Sequence, residues 1–154
     1  MTEYAKHFQE LRRAAPRARC IEIASNHGDR LLKRIRERLP EIEGLVSQDV
    51  FRLEGVERLP EVRIDGVQYM HGFRGRAQEH AKYNQCSTVH GHSHMASLVW
   101  HKNGRGAYFN LECGWLGDER RECFAYREQS LTRWILSVGL VTNGSPTLLK
   151  YPGK

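Results

Sequence analysis

Three short segments of this chain, each suited to a β-strand, run directly into a loop that carries histidine. The segments are residues 20–24, 67–70 and 86–89, and the loops after them are Asn26-His27, His71-Gly72 and Gly91-His92-Ser93-His94. In open α/β sheets, the loops at the carboxyl ends of parallel strands meet over one crevice. The sequence therefore predicts that imidazole and amide side chains from distant positions share one site.

The remaining patterns favour a small α/β protein. Apolar residues at helical spacing predict helices over residues 4–15 and 29–39, and a third helix is expected over 75–85. Alternation predicts an edge strand at 49–53. Tight hairpin turns are predicted at Asp65-Gly66, Lys102-Asn103-Gly104 and Asn143-Gly144. We expect one domain over residues 1–154, of class α/β, in which a few parallel strands are followed by antiparallel hairpins.

The charge of the chain favours anionic partners. It carries 24 basic and 18 acidic side chains, a formal net charge of +6, which suits phosphate esters or nucleic acid better than acidic proteins. Two basic runs, over residues 12–19 and 30–38, are more simply explained as solvated helix faces than as a dedicated nucleic-acid surface. No apolar run approaches the ~20 residues that span a bilayer, so we expect a cytoplasmic protein without membrane contact.

The side chains of the three loops are suited to a metal ion. Imidazole nitrogen and amide oxygen bind borderline divalent ions such as Mn, Fe, Co, Ni or Zn. His92 and His94 are two residues apart, so an extended backbone would project both to one side. Gly72 and Gly91 allow sharp backbone turns beside the ion.

These loops, in this order, resemble motifs of the calcineurin-like metallophosphoesterases. That family carries an Asp-x-His, a Gly-Asp, a Gly-Asn-His-Asp/Glu, a lone His and a Gly-His-x-His, and this chain shows the last three. The resemblance implies that Asn26, His71 and His92 bind one metal ion and His94 binds another. It also implies that His27 protonates the leaving-group oxygen or steadies the phosphate.

Some residues depart from the family pattern. Ser25 stands where a Gly is usual, and Gly28 stands where an acid is usual. The sequence Ser25-Asn26-His27 followed by a basic helix is similar to the corresponding segment of some phage-type members of the family. Residues 110–114 also look like the Asn-x-Gly turn found later in many members.

The Asp-x-His and Gly-Asp motifs do not occur in residues 1–25. By the resemblance, the chain corresponds to the C-terminal portion of the family's α/β/β/α sandwich. The implied activity is hydrolysis of phosphate mono- or diesters by a dinuclear-metal mechanism, once the missing N-terminal half is supplied. In that family the Asp of the Gly-Asp motif bridges the two metal ions, and without it we expect weak metal binding and little catalysis by the isolated chain. We also expect association through an uncovered sheet edge.

The competing interpretation is a non-catalytic remnant, or a basic nucleic-acid-binding protein, with the same fold. The other histidines have no place in the pattern: His7 and His80 are expected on helix surfaces, and His101 has no assigned chemistry. His90 stays open between the core, a role supporting the metal, and the metal itself. The tryptophans are expected to pack in the core rather than to stack on bases.

Overall fold

The computed structural model of the chain describes residues 3–25, 33–41, 54–73, 77–117 and 134–151. The chain divides into two units, Met1–Leu59 and Pro60–Lys154, and the single domain expected over its whole length stays a prediction. Asn26, His27 and the predicted edge strand at 49–53 lie outside the described residues.

In the described part of the first unit, two α-helices and one pair of short strands are found. Its elements are α1 (Glu3–Ala14), β1 (Ile21–Ile23), α2 (residues 33–38) and β2 (Glu57–Leu59). The first two confirm the predicted helix and strand, and α1 ends just before Pro16, which cannot continue a helix. β1 pairs with β2 in parallel, and all three residues of β1 are half-buried.

The second unit is built on a mixed five-stranded sheet. Its strands are β3 (Glu61–Ile64), β4 (Val67–Met70), β5 (Thr88–His90), β6 (Ala96–Asn103) and β7 (Gly106–Cys113), followed by a separate hairpin of β8 (Ser137–Thr142) and β9 (Ser145–Lys150). The sheet order is β3-β4-β5-β7-β6. The central strands β4, β5 and β7 are parallel, and each outer strand is antiparallel to its neighbour. The α/β class, with parallel strands and antiparallel hairpins, is confirmed.

Two of the hairpins turn where the sequence predicts. At Asp65-Gly66 the φ angles are 49° and 80°, and at Asn143-Gly144 they are 50° and 76°. Positive φ at both central residues defines the turn whose twist matches that of paired strands, and Asn or Asp followed by Gly adopts it most readily. These dipeptides therefore fix the register of β3 with β4 and of β8 with β9.

One face of the five-stranded sheet forms the apolar core. Its buried members come from the three parallel strands, and partly buried side chains of the β8–β9 hairpin pack against them. The buried set is Val67, Val89, Phe109 and Leu111, and the hairpin contributes Val141 and Leu148. Burying large apolar side chains of this kind contributes about 1.5–3 kcal/mol each.

The opposite face of the parallel strands is polar and yet buried. Side chains alternate along a strand, so Thr88 and His90 of β5, and Asn110 and Glu112 of β7, point away from the apolar core. All four are buried. A 3-10 turn (Ala77–Glu79) and the short helix α3 (His80–Asn84) precede β5, and the Ala81 N–H donates to Asn110 Oδ1 at 3.0 Å. None of the described helices has the length and apolar character needed to cross a bilayer.

Candidate functional site

The carboxyl ends of β4, β5 and β7 lie side by side because these strands are parallel neighbours. His71 follows β4 directly, and the segment from Gly91 to His94 follows β5. The backbone N–H of Gly91 donates to the carbonyl of His71 at 3.2 Å, which ties the two loops together. This edge of the sheet is therefore the candidate site, as expected for α/β proteins.

His71 and His92 meet at this edge. Nε2 of His71 lies 3.1 Å from Nδ1 of His92, and the rings are almost perpendicular at 89° with centroids 5.0 Å apart. Gly72 makes the approach feasible. Its φ is 93°, and a Cβ there would lie 3.2 Å from the carbonyl oxygen of Gly91 and 3.3 Å from Cβ of His92. A side chain at position 72 would thus be strained and would press the loops apart.

The nitrogen separation is that of a hydrogen bond between the two rings, and it also fits two ligands of a common ion. Two imidazole nitrogens, each ~2.1 Å from one ion and ~90–109° apart, lie about 3.0–3.4 Å from each other. The measured 3.1 Å falls within that interval. Within the described ranges no group of three or more His, Cys, Asp and Glu side chains is placed to hold a metal. A complete site would need further ligands beyond this pair.

His94 lies in an aromatic cluster with two tryptophans. Its ring stacks on Trp115 with centroids 5.5 Å apart at 15°, and meets Trp134 edge-on at 4.5 Å and 79°. The two tryptophans contact each other with centroids 4.7 Å apart. Backbone hydrogen bonds from Ile135 to the His94 carbonyl, and from Trp115 to the Ile135 carbonyl, hold the cluster in place.

The loop that carries His92 and His94 has an uncommon backbone. Its two histidines have φ angles of 82° and 64°, and each L residue in the left-handed region costs roughly 1–2 kcal/mol. Two hydrogen bonds offset this strain: Ser93 Oγ donates to Oε1 of Glu112, and the Met95 N–H donates to Ser93 Oγ at 3.3 Å. Ser93 thus anchors the loop to β7.

Glu112 is a fully buried carboxylate behind the loop. Burial raises its pKa above the ordinary value, while hydrogen bonds from Ser93 lower it in part. Its second oxygen, Oε2, has no hydrogen-bond partner among the described residues. Sequence reasoning missed this residue because residues 110–114 were expected to form an Asn-x-Gly turn. They instead continue strand β7 up to Cys113, and the alternation of apolar and polar residues from Phe109 to Glu112 is the signal that could have shown it.

His90 lies on the polar face of β5, opposite the apolar core, and supports the loop that follows the strand. It is buried, and Asn110 Nδ2 lies 3.0 Å from its Nε2, so that nitrogen accepts a hydrogen bond. The proton is then on Nδ1, which donates to the Gly91 carbonyl at 3.0 Å. This tautomer supports the backbone of the loop rather than presenting a free nitrogen at the site.

The expected surface position of His80 is wrong. The residue is buried, its Nε2 accepts from the Phe73 N–H at 3.2 Å, and its ring lies 4.2 Å from that of His90. In the described part of the helix expected over 75–85, a 3-10 turn (Ala77–Glu79) precedes five α-helical residues (His80–Asn84). The contacts of His80 with Phe73 and His90 join residues from separate segments of the chain, which a helical pattern within residues 75–85 could not show.

The structure thus brings His71 and His92 together and places His94 among tryptophans. The proposed ligand Asn26 and the proposed acid His27 lie outside the described residues. The roles of all five as ligands or acid stay predictions. No model of a known protein family matches this chain, and comparison with curated proteins finds no match.

Proposed function

We propose that this protein takes part in the metal-dependent hydrolysis of phosphate mono- or diesters, as a member of the calcineurin-like metallophosphoesterases. The observation that supports it most is the 3.1 Å separation of His71 Nε2 and His92 Nδ1 at the carboxyl ends of two neighbouring parallel strands. The order of the Asn, His and Gly-His-x-His motifs adds to it.

In this proposal His71 and His92, with Asn26, hold one divalent ion of the Mn, Fe, Ni or Zn type. His94 serves a second ion, and His27 gives a proton to the leaving-group oxygen. The bound ion would supply Lewis-acid polarisation of a phosphoryl oxygen. Since His71, His92 and Asn26 are all neutral ligands, no carboxylate offsets the charge of a dication. Full activity then requires carboxylates from an N-terminal half of the fold.

Metal binding by the isolated chain tests the ligand pair. We expect weak, chelator-sensitive binding of Mn²⁺, Ni²⁺ or Zn²⁺ in equilibrium dialysis followed by elemental analysis. His71→Ala and His92→Ala should each weaken it by at least about tenfold, because each removes one of the few ligands. The matched control is His101→Ala, which removes an imidazole on β6 beside Tyr108, away from the loops. Equal affinity in all four proteins would refute the pair as a metal site.

Hydrolysis tests the reaction separately. A chromogenic phosphodiester should be hydrolysed slowly by the chain with metal, and faster when an N-terminal half carrying the Asp-x-His and Gly-Asp motifs is added. Activity that persists in excess chelator would contradict the proposal.

A basic binding protein is the second candidate, and the distribution of charge favours it. Residues 1–38 hold ten basic and five acidic side chains, and Lys33, Arg34, Arg36 and Arg38 of α2 are all exposed. Oligonucleotide binding that falls steeply with salt and ignores chelators would support this candidate over hydrolysis.

A further inference from the structure

A cavity in the first unit has the chemistry of an anion site. Its volume is about 640 Å³, and it lies between one face of α1 and the segment Glu54-Gly55. The helix contributes Phe8, Gln9, Arg12 and Arg13 to its wall. Gln9, Arg12 and Arg13 follow Phe8 by one, four and five residues, and this spacing places all four side chains on one side of the helix.

Arg12 is held in position by its surroundings. Its Nη1 donates to the Ala18 carbonyl at 3.3 Å, and its Nη2 lies against Gly55, where a Cβ would be only 3.1 Å away. Gly55 also has a φ of 72°. A glycine suits this position because it tolerates the positive φ and leaves room for the guanidinium. The side chain is half-buried. A guanidinium that is already ordered loses less conformational entropy when it binds an anion.

The described residues that line the cavity carry a net positive charge. Among the described residues, neither Arg12 nor Arg13 forms an ion pair with a carboxylate, although Glu54 lies on the same wall. The carboxyl end of a helix carries about half a negative charge. Two guanidinium charges exceed that half charge and the exposed Glu54 together, so an anion is favoured.

The size and the apolar wall narrow the class of ligand. The cavity falls in the range of about 300–1,000 Å³ that holds small organic ligands, and a bare phosphate ion would leave most of it empty. The half-buried ring of Phe8 offers a flat apolar surface, and the planar fork of an arginine binds a phosphate through two parallel hydrogen bonds.

We propose that the cavity formed by Phe8, Gln9, Arg12, Arg13, Glu54 and Gly55 binds a small organic phosphate ester, with the phosphate at the two arginines and the organic part against Phe8. This site shares no residue with the histidine loops and does not depend on the metal proposal. It gives a specific use to a basic run that the sequence alone explains as a solvated helix face.

Isothermal titration calorimetry on the full chain, in excess EDTA, tests the site without any metal. Adenosine 5′-monophosphate is the probe, and inorganic phosphate, ribose 5-phosphate and adenosine are its parts. We expect the nucleotide to bind most tightly, the two smaller phosphates more weakly, and adenosine not measurably. Adenosine as tight as the nucleotide would overturn the role of the arginines. Inorganic phosphate as tight as the nucleotide would overturn the ester as ligand.

The variants locate the binding. Arg12→Gln should weaken nucleotide binding by at least about tenfold and Arg13→Gln by a smaller factor, since charge-assisted hydrogen bonds are lost. Arg12→Lys keeps the charge but not the fork and should fall between Arg12→Gln and the wild type. The control is Arg105→Gln, which changes an exposed arginine in the β6–β7 turn, and its affinity for the nucleotide should stay within about twofold of the wild type.

Thermal unfolding of each variant separates lost binding from lost folding. A folded Arg12→Gln protein with wild-type affinity would overturn the site, and loss of nucleotide binding in His92→Ala would place the ligand at the histidine loops instead.

Discussion

Glu112 shows what a single buried carboxyl does in this protein. It lies on the polar face of β7 and accepts a hydrogen bond from the Ser93 hydroxyl. This bond joins the sheet to the loop that carries His92. A carboxyl placed so far from water favours its neutral form. The pKa is therefore raised, chiefly by burial.

This shift predicts how stability depends on pH. The unfolded chain releases the Glu112 proton near the ordinary pKa of 4.5, while the folded protein retains it to higher pH. The unfolded state then binds fewer protons, so the contribution of Glu112 to stability is full below that pKa and is lost as pH rises through the folded pKa. Glu112→Gln should remove this slope while keeping an acceptor for Ser93.

Urea unfolding of both proteins from about pH 4 to about pH 8 measures the effect. The difference in free energy of unfolding, variant minus wild type, should grow with pH. Parallel curves would show that Glu112 titrates alike in the folded and unfolded states.

At the scale of elements, Gly139 controls how closely the β8–β9 hairpin packs on the sheet. A Cβ at this position would lie 2.6 Å from Sγ of Cys113 and 3.0 Å from Cδ2 of Leu111. Both neighbours belong to β7, and Leu111 is fully buried in the core, so there is little room for them to move. A glycine here allows β8 and β7 to approach.

Gly139→Ala should therefore destabilise the protein by about 1–3 kcal/mol, the usual cost of overfilling a packed core. Chemical denaturation measures it. The matched control is Gly104→Ala, since a Cβ at Gly104 meets nothing within 4 Å, and this change should be neutral or slightly stabilising. Equal stability of the two variants would contradict the close packing inferred at Gly139.

The sequence predicts the elements whose signals are local. The Asp65-Gly66 and Asn143-Gly144 turns and the helix before Pro16 depend on residues that are neighbours in the chain, and the structure confirms them. The sequence also indicates which loops meet, since His71 and His92 follow strands. It could not predict that β7 pairs with β5 rather than with β6 alone. That pairing depends on contacts between distant segments, and it is what buries Glu112.

At the scale of the whole molecule, protection from hydrogen exchange should be greatest in the centre of the five-stranded sheet. β4, β5 and β7 each have a strand on both sides, whereas β1 and β2 form a pair of three residues each. An amide exchanges when the structure around it opens, and opening costs more free energy for a strand that is paired on both sides.

Hydrogen exchange followed by mass spectrometry should find the slowest amides in β5 and the central part of β7. Those of α1 and of the β1–β2 pair should exchange much sooner. Exchange at one common rate in both units would show instead that they unfold as one cooperative body. The outer strands of the five-stranded sheet are β3 and β6, and association through an uncovered sheet edge, still a prediction, would take place at one of them.

The contact of His94 with Trp115 and Trp134 gives the protein an internal spectroscopic reporter. Two of its three tryptophans lie in this cluster, and the third, Trp100, is 56% exposed. Near-ultraviolet circular dichroism arises from rings in a fixed, asymmetric setting, so the pair should dominate that signal. A ligand that reorders the loop after β5 would change this spectrum without any label, and the exposed Trp100 provides a quenchable reference within the same chain.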